Sequence, residues 1–408
     1  MPFTDYGLVL ELRQQLAGTQ AEITSHGSAD YAESIRPWSE TCKSEAICRR
    51  PMADTSHGAV VDVTCTREVG LIITFARDHH VEFVSATKGG IVISLDRMRG
   101  VSVDSKAQTA RVQGGARWDD VNRATAPYGL AVVGATASQT GVGGSTLGGG
   151  YGWLTGRYGL IIDSLIRATV VLANGSAFGV VTEFEFRAHE VPDQVLGGLL
   201  YFRASRLFRI VDFANWFHEQ QDQDSGLFFG FRAAPMSNGS QDRAMAFFAP
   251  LLALDPVINR TGMMPYWQLA QQVSVRLDSR SRKSSGGTKL RLSPLEKDLT
   301  PVPWRDFDQV MQEFPRMRDS VLAIEMLPFS KLLSVPVEAT ACANRDRLYN
   351  VGLLLCWHDP RLDVFIDRYR QATLAKIQDS QCWARVAEGG VAAYPNYAGG
   401  QYSNTSLK

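Results

Sequence analysis

Glycine density constrains this chain more than any other feature. From Thr140 to Thr155 the sequence reads T-G-V-G-G-S-T-L-G-G-G-Y-G-W-L-T, with Gly141, Gly143, Gly144, Gly148, Gly149 and Gly150 inside ten positions and Gly152 just beyond. Glycine serves positive φ and close backbone approach, and it is costly to order. A run this dense points to a surface of bare backbone N–H groups, which form concavities for phosphates or for the polar rim of a ring system. A flexible loop is the alternative reading. Against it, Val142, Leu147, Tyr151, Trp153 and Leu154 are interleaved with the glycines and need burial.

The common phosphate motifs do not fit. No Gly-Lys-Ser/Thr ending marks a Walker loop. No G-x-G-x-x-G opens a helix after a strand with an acidic residue downstream. A nucleotide cofactor held by another glycine pattern is therefore expected.

The flanking sequence supplies that pattern. A strand ends in Gly114-Gly115, a helix starts near Trp118, a Gly129-Leu130 turn follows, and after the glycine run come Ala168-Thr-Val-Val-Leu-Ala-Asn-Gly175 and Phe178-Gly-Val-Val-Thr-Glu-Phe184. Tyr394-Pro-Asn-Tyr397 closes the series. In this order the blocks resemble the FAD-binding domain of the vanillyl-alcohol-oxidase superfamily, and within it the berberine-bridge-enzyme-like oxidases. The resemblance runs from about Ser28 to Tyr397. It implies an α+β fold: a two-part FAD-binding domain over 1–188, an α+β substrate domain over 189–380 with an antiparallel sheet covered by helices, and a C-terminal segment, 381–408, returning to the first domain.

Composition agrees with an enzyme acting on a small molecule. Forty-two basic residues balance forty-two acidic ones, which leaves no electrostatic footprint for nucleic acid or anionic membrane. No apolar run reaches spanning length, and Met1-Pro-Phe-Thr-Asp-Tyr6 has no signal-peptide character, so an intracellular monomer is expected. Six cysteines without a C-x-x-C pair read as small buried hydrophobes or free thiols. The pair His79-His80 reads as a helix-end cap, with a metal as the alternative.

Periodicity predicts helices over 8–15, 69–77, 207–220 and 361–378. It predicts strands over 81–85, 91–95, 101–103, 110–113, 169–173, 227–232, 244–248, 321–327 and 350–357. Asn238-Gly239 signals a hairpin. Ser281 to Gly287, S-R-K-S-S-G-G, reads as a polar, flexible surface loop. Phe228, Phe229, Phe247 and Phe248 read as sheet core, or else as substrate contacts. Arg345 reads as a solvated turn residue or a substrate contact.

The resemblance also implies site residues. Gly141, Val142, Gly143, Gly144, Leu147, Gly148 and Gly149 would line the flavin ring and pyrophosphate by backbone, and Gly179, Val180 and Val181 would hold the adenosine half. Tyr397 matches the position of a tyrosine base, Asn396 would hydrogen-bond the flavin's polar edge, and Tyr394 would pack the site. Alternatively both tyrosines are ordinary surface residues. Relatives carry a histidine and a cysteine that tether the flavin. This chain has Ala86-Thr-Lys-Gly-Gly90 and Ala135-Thr-Ala-Ser-Gln139 at those places, so FAD is expected without a covalent link. Two functions compete: an FAD-dependent oxidoreductase that oxidises or oxidatively cyclises a small metabolite with oxygen as acceptor, and a degenerate, non-redox relative that keeps the fold.

Overall fold

The computed structural model describes residues 6–25, 28–34, 58–81, 90–172, 179–231, 249–272, 281–290, 301–317, 319–342, 345, 347 and 349–379. The chain divides into two compact units. The first comprises Met1–Val132, Thr140–Gly143 and Leu165–His189, and the second comprises Val133–Gln139, Gly144–Ser164 and Glu190–Lys408.

The first unit opens with α1 (Tyr6–Gln15), β1 (Glu22–Ser25), α2 (Tyr31–Ser34), β2 (Ala59–Asp62), α3 (Thr66–Asp78) and β3 (Ile91–Ser94). β1 runs antiparallel and β3 parallel to the central β2. In α3 the spacing of Val69, Ile72, Ile73 and Ala76 puts one apolar face into a core shared with Leu12, Val61 and Ile91. Burial alone would raise the carboxyl of Glu68 at the start of this helix. Hydrogen bonds from the backbone N–H groups of Thr64 (2.6 Å) and Gln20 (2.9 Å) and from the Thr64 hydroxyl outweigh that and hold it below the usual carboxylate range. At the other end His79 stacks on Phe75 at 4.1 Å, with Nδ1 2.9 Å from the Phe75 carbonyl, so it closes the helix as its position suggested.

A second sheet of this unit contains β4 (Val101–Asp104), β5 (Thr109–Gln113), β6 (Leu130–Val132), β7 (Leu165–Leu172) and β8 (Gly179–Glu190). Its order is β4-β5-β8-β6, with β7 also paired to β8. Alternation along β8 buries Phe184, Phe186 and Ala188. Trp118, the first residue of α4 (Trp118–Thr125), packs against Phe186 at 5.8 Å. The first part of the glycine run folds as a short helix, α5 (Val142–Leu147), along which the chain passes from the first unit to the second.

The second unit is built on a four-stranded antiparallel sheet. After α6 (Thr155–Tyr158), β9 (Val195–Gly197), β10 (Leu200–Tyr201) and α7 (Leu207–Gln220) comes β11 (Leu227–Phe231). α8 (Ala249–Leu252), β12 (Ile258–Asn259), β13 (Gly262–Met264) and α9 (Tyr266–Gln272) precede β14 (Arg282–Leu290). Then follow α10 (Pro301–Glu313), β15 (Val321–Met326), α11 (Ser330–Ser334), β16 (Tyr349–Trp357) and α12 (Asp363–Asp379). The sheet order is β11-β15-β16-β14, while β9 pairs with β13 and β10 with β12.

β14 corrects the sequence reading. Residues 281–287 are not a surface loop; Ser281 is buried, and 282–287 lie in a buried edge strand paired with β16 over nine positions. Polar composition misled because the polarity is satisfied internally. Arg282 donates to Asp363 (Nε–Oδ1 2.6 Å), and Trp357 Nε1 donates to the same carboxylate at 2.9 Å. At Gly286 a Cβ would stand 2.7 Å from the Leu374 Cδ1 of α12, so a larger residue there would have to displace that side chain. The predicted strands over 82–85 and 244–248 and the Asn238-Gly239 hairpin lie outside the described residues.

Candidate functional site

The glycines of the run do different jobs. In the first unit, the Trp118 N–H donates to the Thr140 carbonyl (3.0 Å) and the Val142 N–H to the Ala116 carbonyl (2.9 Å), which pins the head of α5 to the start of α4. Val142 is fully buried and offers only backbone. Gly143 lies against the end of β5, where a Cβ would meet the Gly114 carbonyl at 3.2 Å. At Gly141 and again at Gly144 a Cβ would meet nothing within 4 Å. Those two positions present bare backbone to open space, and Leu147 is 63% exposed three residues on.

Beyond Gly144 the run serves the second unit. Gly149 and Gly150 have φ of +93° and +68°, a region open to glycine and strained for other residues. A Cβ on Gly149 would come 2.5 Å from the Cys342 Sγ, and one on Gly150 would come 2.3 Å from Ile161. The carbonyls of Gly149 and Gly150 accept from the Ile162 and Ile161 N–H groups. Gly149 is thus held by protein packing on its side-chain direction, unlike Gly144.

This backbone course delivers Tyr151 and Trp153 to one face of the sheet. Tyr151 Oη donates a hydrogen bond to Glu325 of β15, and both residues are buried. Trp153 stacks on Phe228 of β11 at 4.7 Å, with the rings 24° from parallel. Phe228 stands opposite Glu325 in the strand register, Glu325 opposite Asn350, and Asn350 opposite Lys289. Directly opposed residues share a sheet face, so Phe228, Glu325, Asn350 and Lys289 form one row across all four strands. The other face carries Leu322, Ile324, Val351 and Leu353, all buried. Glu325 escaped the sequence reading. Its signal was a lone carboxylate in the apolar strand V-L-A-I-E-M.

Other expected site residues fall elsewhere. Arg345 is neither solvated nor open to a substrate. Its side chain is 1% exposed, pairs with Asp163 (Nη1–Oδ2 2.9 Å) and donates to the Thr340 hydroxyl at 2.8 Å. Asp163 also accepts from the Leu160 N–H, so the pair ties the segment after the run to the approach of β16. In the first unit Gly179, Val180 and Val181 begin β8. A Cβ on Gly179 would meet Val170 and the Val171 carbonyl at 2.7 Å, and Val180 packs on the core beneath α3. Tyr394, Asn396 and Tyr397 lie outside the described residues.

Comparison with known proteins fits this architecture. Residues 58–180 match the family described as the FAD binding domain. The chain is 26% identical over 448 aligned residues to the FAD-linked oxidoreductase pgmH of Aspergillus terreus, covering 98% of this chain and 88% of that one. Among solved structures it resembles 6-hydroxy-D-nicotine oxidase of Arthrobacter nicotinovorans (TM-score 0.68, 18% identity, 93% of this chain and 89% of that one). It also resembles the BBE-like 1 protein of Physcomitrella patens (TM-score 0.73, 16% identity, 95% and 90%). Fold and glycine site therefore define an FAD-binding protein. More narrowly, the chain is similar over almost its whole length to a fungal FAD-linked oxidoreductase, and its fold is that of the berberine-bridge-enzyme-like flavoproteins. The residues present fit that cofactor, because the bare backbone at Gly141 and Gly144 leaves the room that a Cβ would fill.

Proposed function

We propose that this chain oxidises, or oxidatively cyclises, a small secondary metabolite with a non-covalently held FAD and molecular oxygen as acceptor. The observation that carries the reading is the buried Tyr151–Glu325 hydrogen bond immediately after the glycine run. When bound, FAD supplies acceptance of a hydride equivalent from a C–H or C–OH bond. The chain's own task is the accompanying proton. A phenol already donating to a carboxylate is prepared to take a proton from a neighbour while passing its own to Glu325. Trp153 and Phe228 add a flat apolar wall suited to an aromatic or polyketide-like substrate. On this reading residues 1–188 bind the cofactor, and 189–380 recognise the substrate together with Tyr151 and Trp153 of the glycine segment. The names of the fungal oxidoreductase and the nicotine oxidase support secondary metabolism and oxygen, respectively. Tyr397, from the Tyr-Pro-Asn-Tyr motif, is the second candidate base.

The test compares Glu325→Gln with Tyr397→Phe in purified, flavin-loaded protein. Anaerobic flavin reduction is followed with a panel of aromatic alcohols and phenols. Glu325→Gln keeps its flavin band and melting temperature but reduces flavin on the order of a hundredfold to ten-thousandfold more slowly. A parental rate in that variant removes the Tyr151–Glu325 pair and leaves Tyr397 as the base. A parent that carries no flavin band at all supports the non-redox alternative.

A further inference from the structure

Asn350 of β16 stands opposite Glu325 on β15, and Glu325 stands opposite Phe228 on β11. The Asn350 amide therefore shares a sheet face with the Tyr151–Glu325 pair and the Trp153–Phe228 stack, and all of these residues belong to the second unit. This face is open where the opposite one is closed. Asn350, Gly352 and Ala323 are half-buried, whereas Val351 and Leu353, set on the other face, are 1% exposed. Within the open face the Asn350 Oδ1 is itself buried and has no hydrogen-bond partner among the described residues.

A buried amide oxygen left unsatisfied bears its full desolvation cost, so such a group calls for an explanation. Where an amide serves the fold of this unit, the fold gives it partners. Gln221 donates from Nε2 to the Ser225 and Met326 carbonyls, and its Oε1 accepts from the Tyr349 hydroxyl. Asn350 has no such set. Strand spacing places its Cα roughly 10 Å from that of Phe228, with Glu325 midway between them. An aromatic ring lying along the Trp153–Phe228 wall would reach the amide through a substituent about one ring's width away, and would pass the Tyr151–Glu325 pair.

We propose that Asn350 is a specificity-determining residue of this site and binds a hydroxyl group carried on a flat, aromatic substrate. The proposal rests on the substrate face described above, but not on which group there takes the proton. A hydroxyl serves the amide whichever way round it is set, since it donates to the oxygen and accepts from the nitrogen. An analogue without the hydroxyl leaves the amide buried and unsatisfied, which is how a polar site rejects an apolar competitor.

Two measurements on the full chain, purified with its FAD, test this. The first needs no ligand. Asn350→Leu, of nearly the same volume, has no hydrogen bond of Oδ1 to lose and melts at or above the parental temperature. The second is equilibrium dialysis against 4-hydroxyacetophenone and acetophenone, two probes that differ by one hydroxyl. The parent holds the hydroxylated probe at least about tenfold more tightly, equivalent to about 1.4 kcal/mol. Asn350→Leu binds the two alike, with its affinity for acetophenone unchanged. If Asn350→Leu melts below the parent, Asn350→Ala, which removes the amide without added bulk, carries both comparisons. A loss of stability in both variants would assign the amide to the fold and overturn the proposal. Equal binding of the two probes by the parent, binding of neither, or a preference that survives in the variant would overturn it too. A slow Glu325→Gln beside an absent hydroxyl preference removes Asn350 alone, and a parental rate in Glu325→Gln beside an intact preference removes only the Tyr151–Glu325 pair.

Discussion

At the scale of single residues, two glycines of one motif are held for opposite reasons, and this separates binding from folding. Gly144 lies inside α5 with open space where its Cβ would be, so Gly144→Val keeps the fold and loses affinity for FAD. Gly149 has positive φ and lies against Cys342, so Gly149→Val destabilises the second unit itself, by a few kcal/mol for strain plus overpacking. Flavin absorbance and thermal melting of both variants check this. The assignment fails if Gly144→Val retains flavin like the parent, or if Gly149→Val melts like the parent. The expectation that the run serves a cofactor was legible in the sequence, because glycine spacing is local. The sequence did not show Gly149's partner, because Cys342 arrives from almost two hundred residues away. Arg345 was opaque for the same reason: only the fold brings Asp163 to it.

At the scale of elements, helices and central strands were legible where apolar periodicity was strong, as in α3, α7, β15 and β16. β14 was not, since S-R-K-S-S-G-G carries no alternation and its polar groups find partners only after α12 and β16 are in place. β8 illustrates a different consequence of burial. His189 near its end has a pKa pushed down to about 4, first by burial and then by the charge of Arg187. The folded protein thus refuses a proton that the unfolded chain accepts below about 6.5. Its contribution to stability is complete above that pH, is lost progressively as pH falls towards 4, and changes no further below. Urea midpoints at pH 7.5, 5.5 and 4.5 should therefore fall less steeply in His189→Asn than in the parent. Parallel pH dependences in the two proteins would contradict this account.

For the whole molecule, the sequence pattern carried the class of cofactor, and the two tethering positions carry a prediction about its attachment. Ala86 to Gly90 has no histidine, and Ala135 to Gln139 no cysteine. Acid precipitation of the yellow protein should release all flavin to the supernatant; a yellow pellet would mean another residue forms a bond to it. No helix among the described residues is long and apolar enough to cross a membrane, in keeping with a balanced charge of forty-two against forty-two. The substrate was the least legible part. The sheet face that would read it is assembled from β11, β15, β16 and β14, strands that are remote from one another in sequence.

The split of the glycine run between the two units also has a meaning in time. The first unit has all its strands once the ribosome passes His189, and it contains only the head of the run. In the remainder, Gly149 and Tyr151 meet Cys342 and Glu325 only after more than a hundred further residues have been made. Closing contacts of such long range is slow, and surface awaiting them is exposed to misassembly. The stretch that most defines this protein therefore reaches its last contacts later in synthesis than the strands of the first unit are made. Glycine, which gains little from closing early, suits a segment that has to wait.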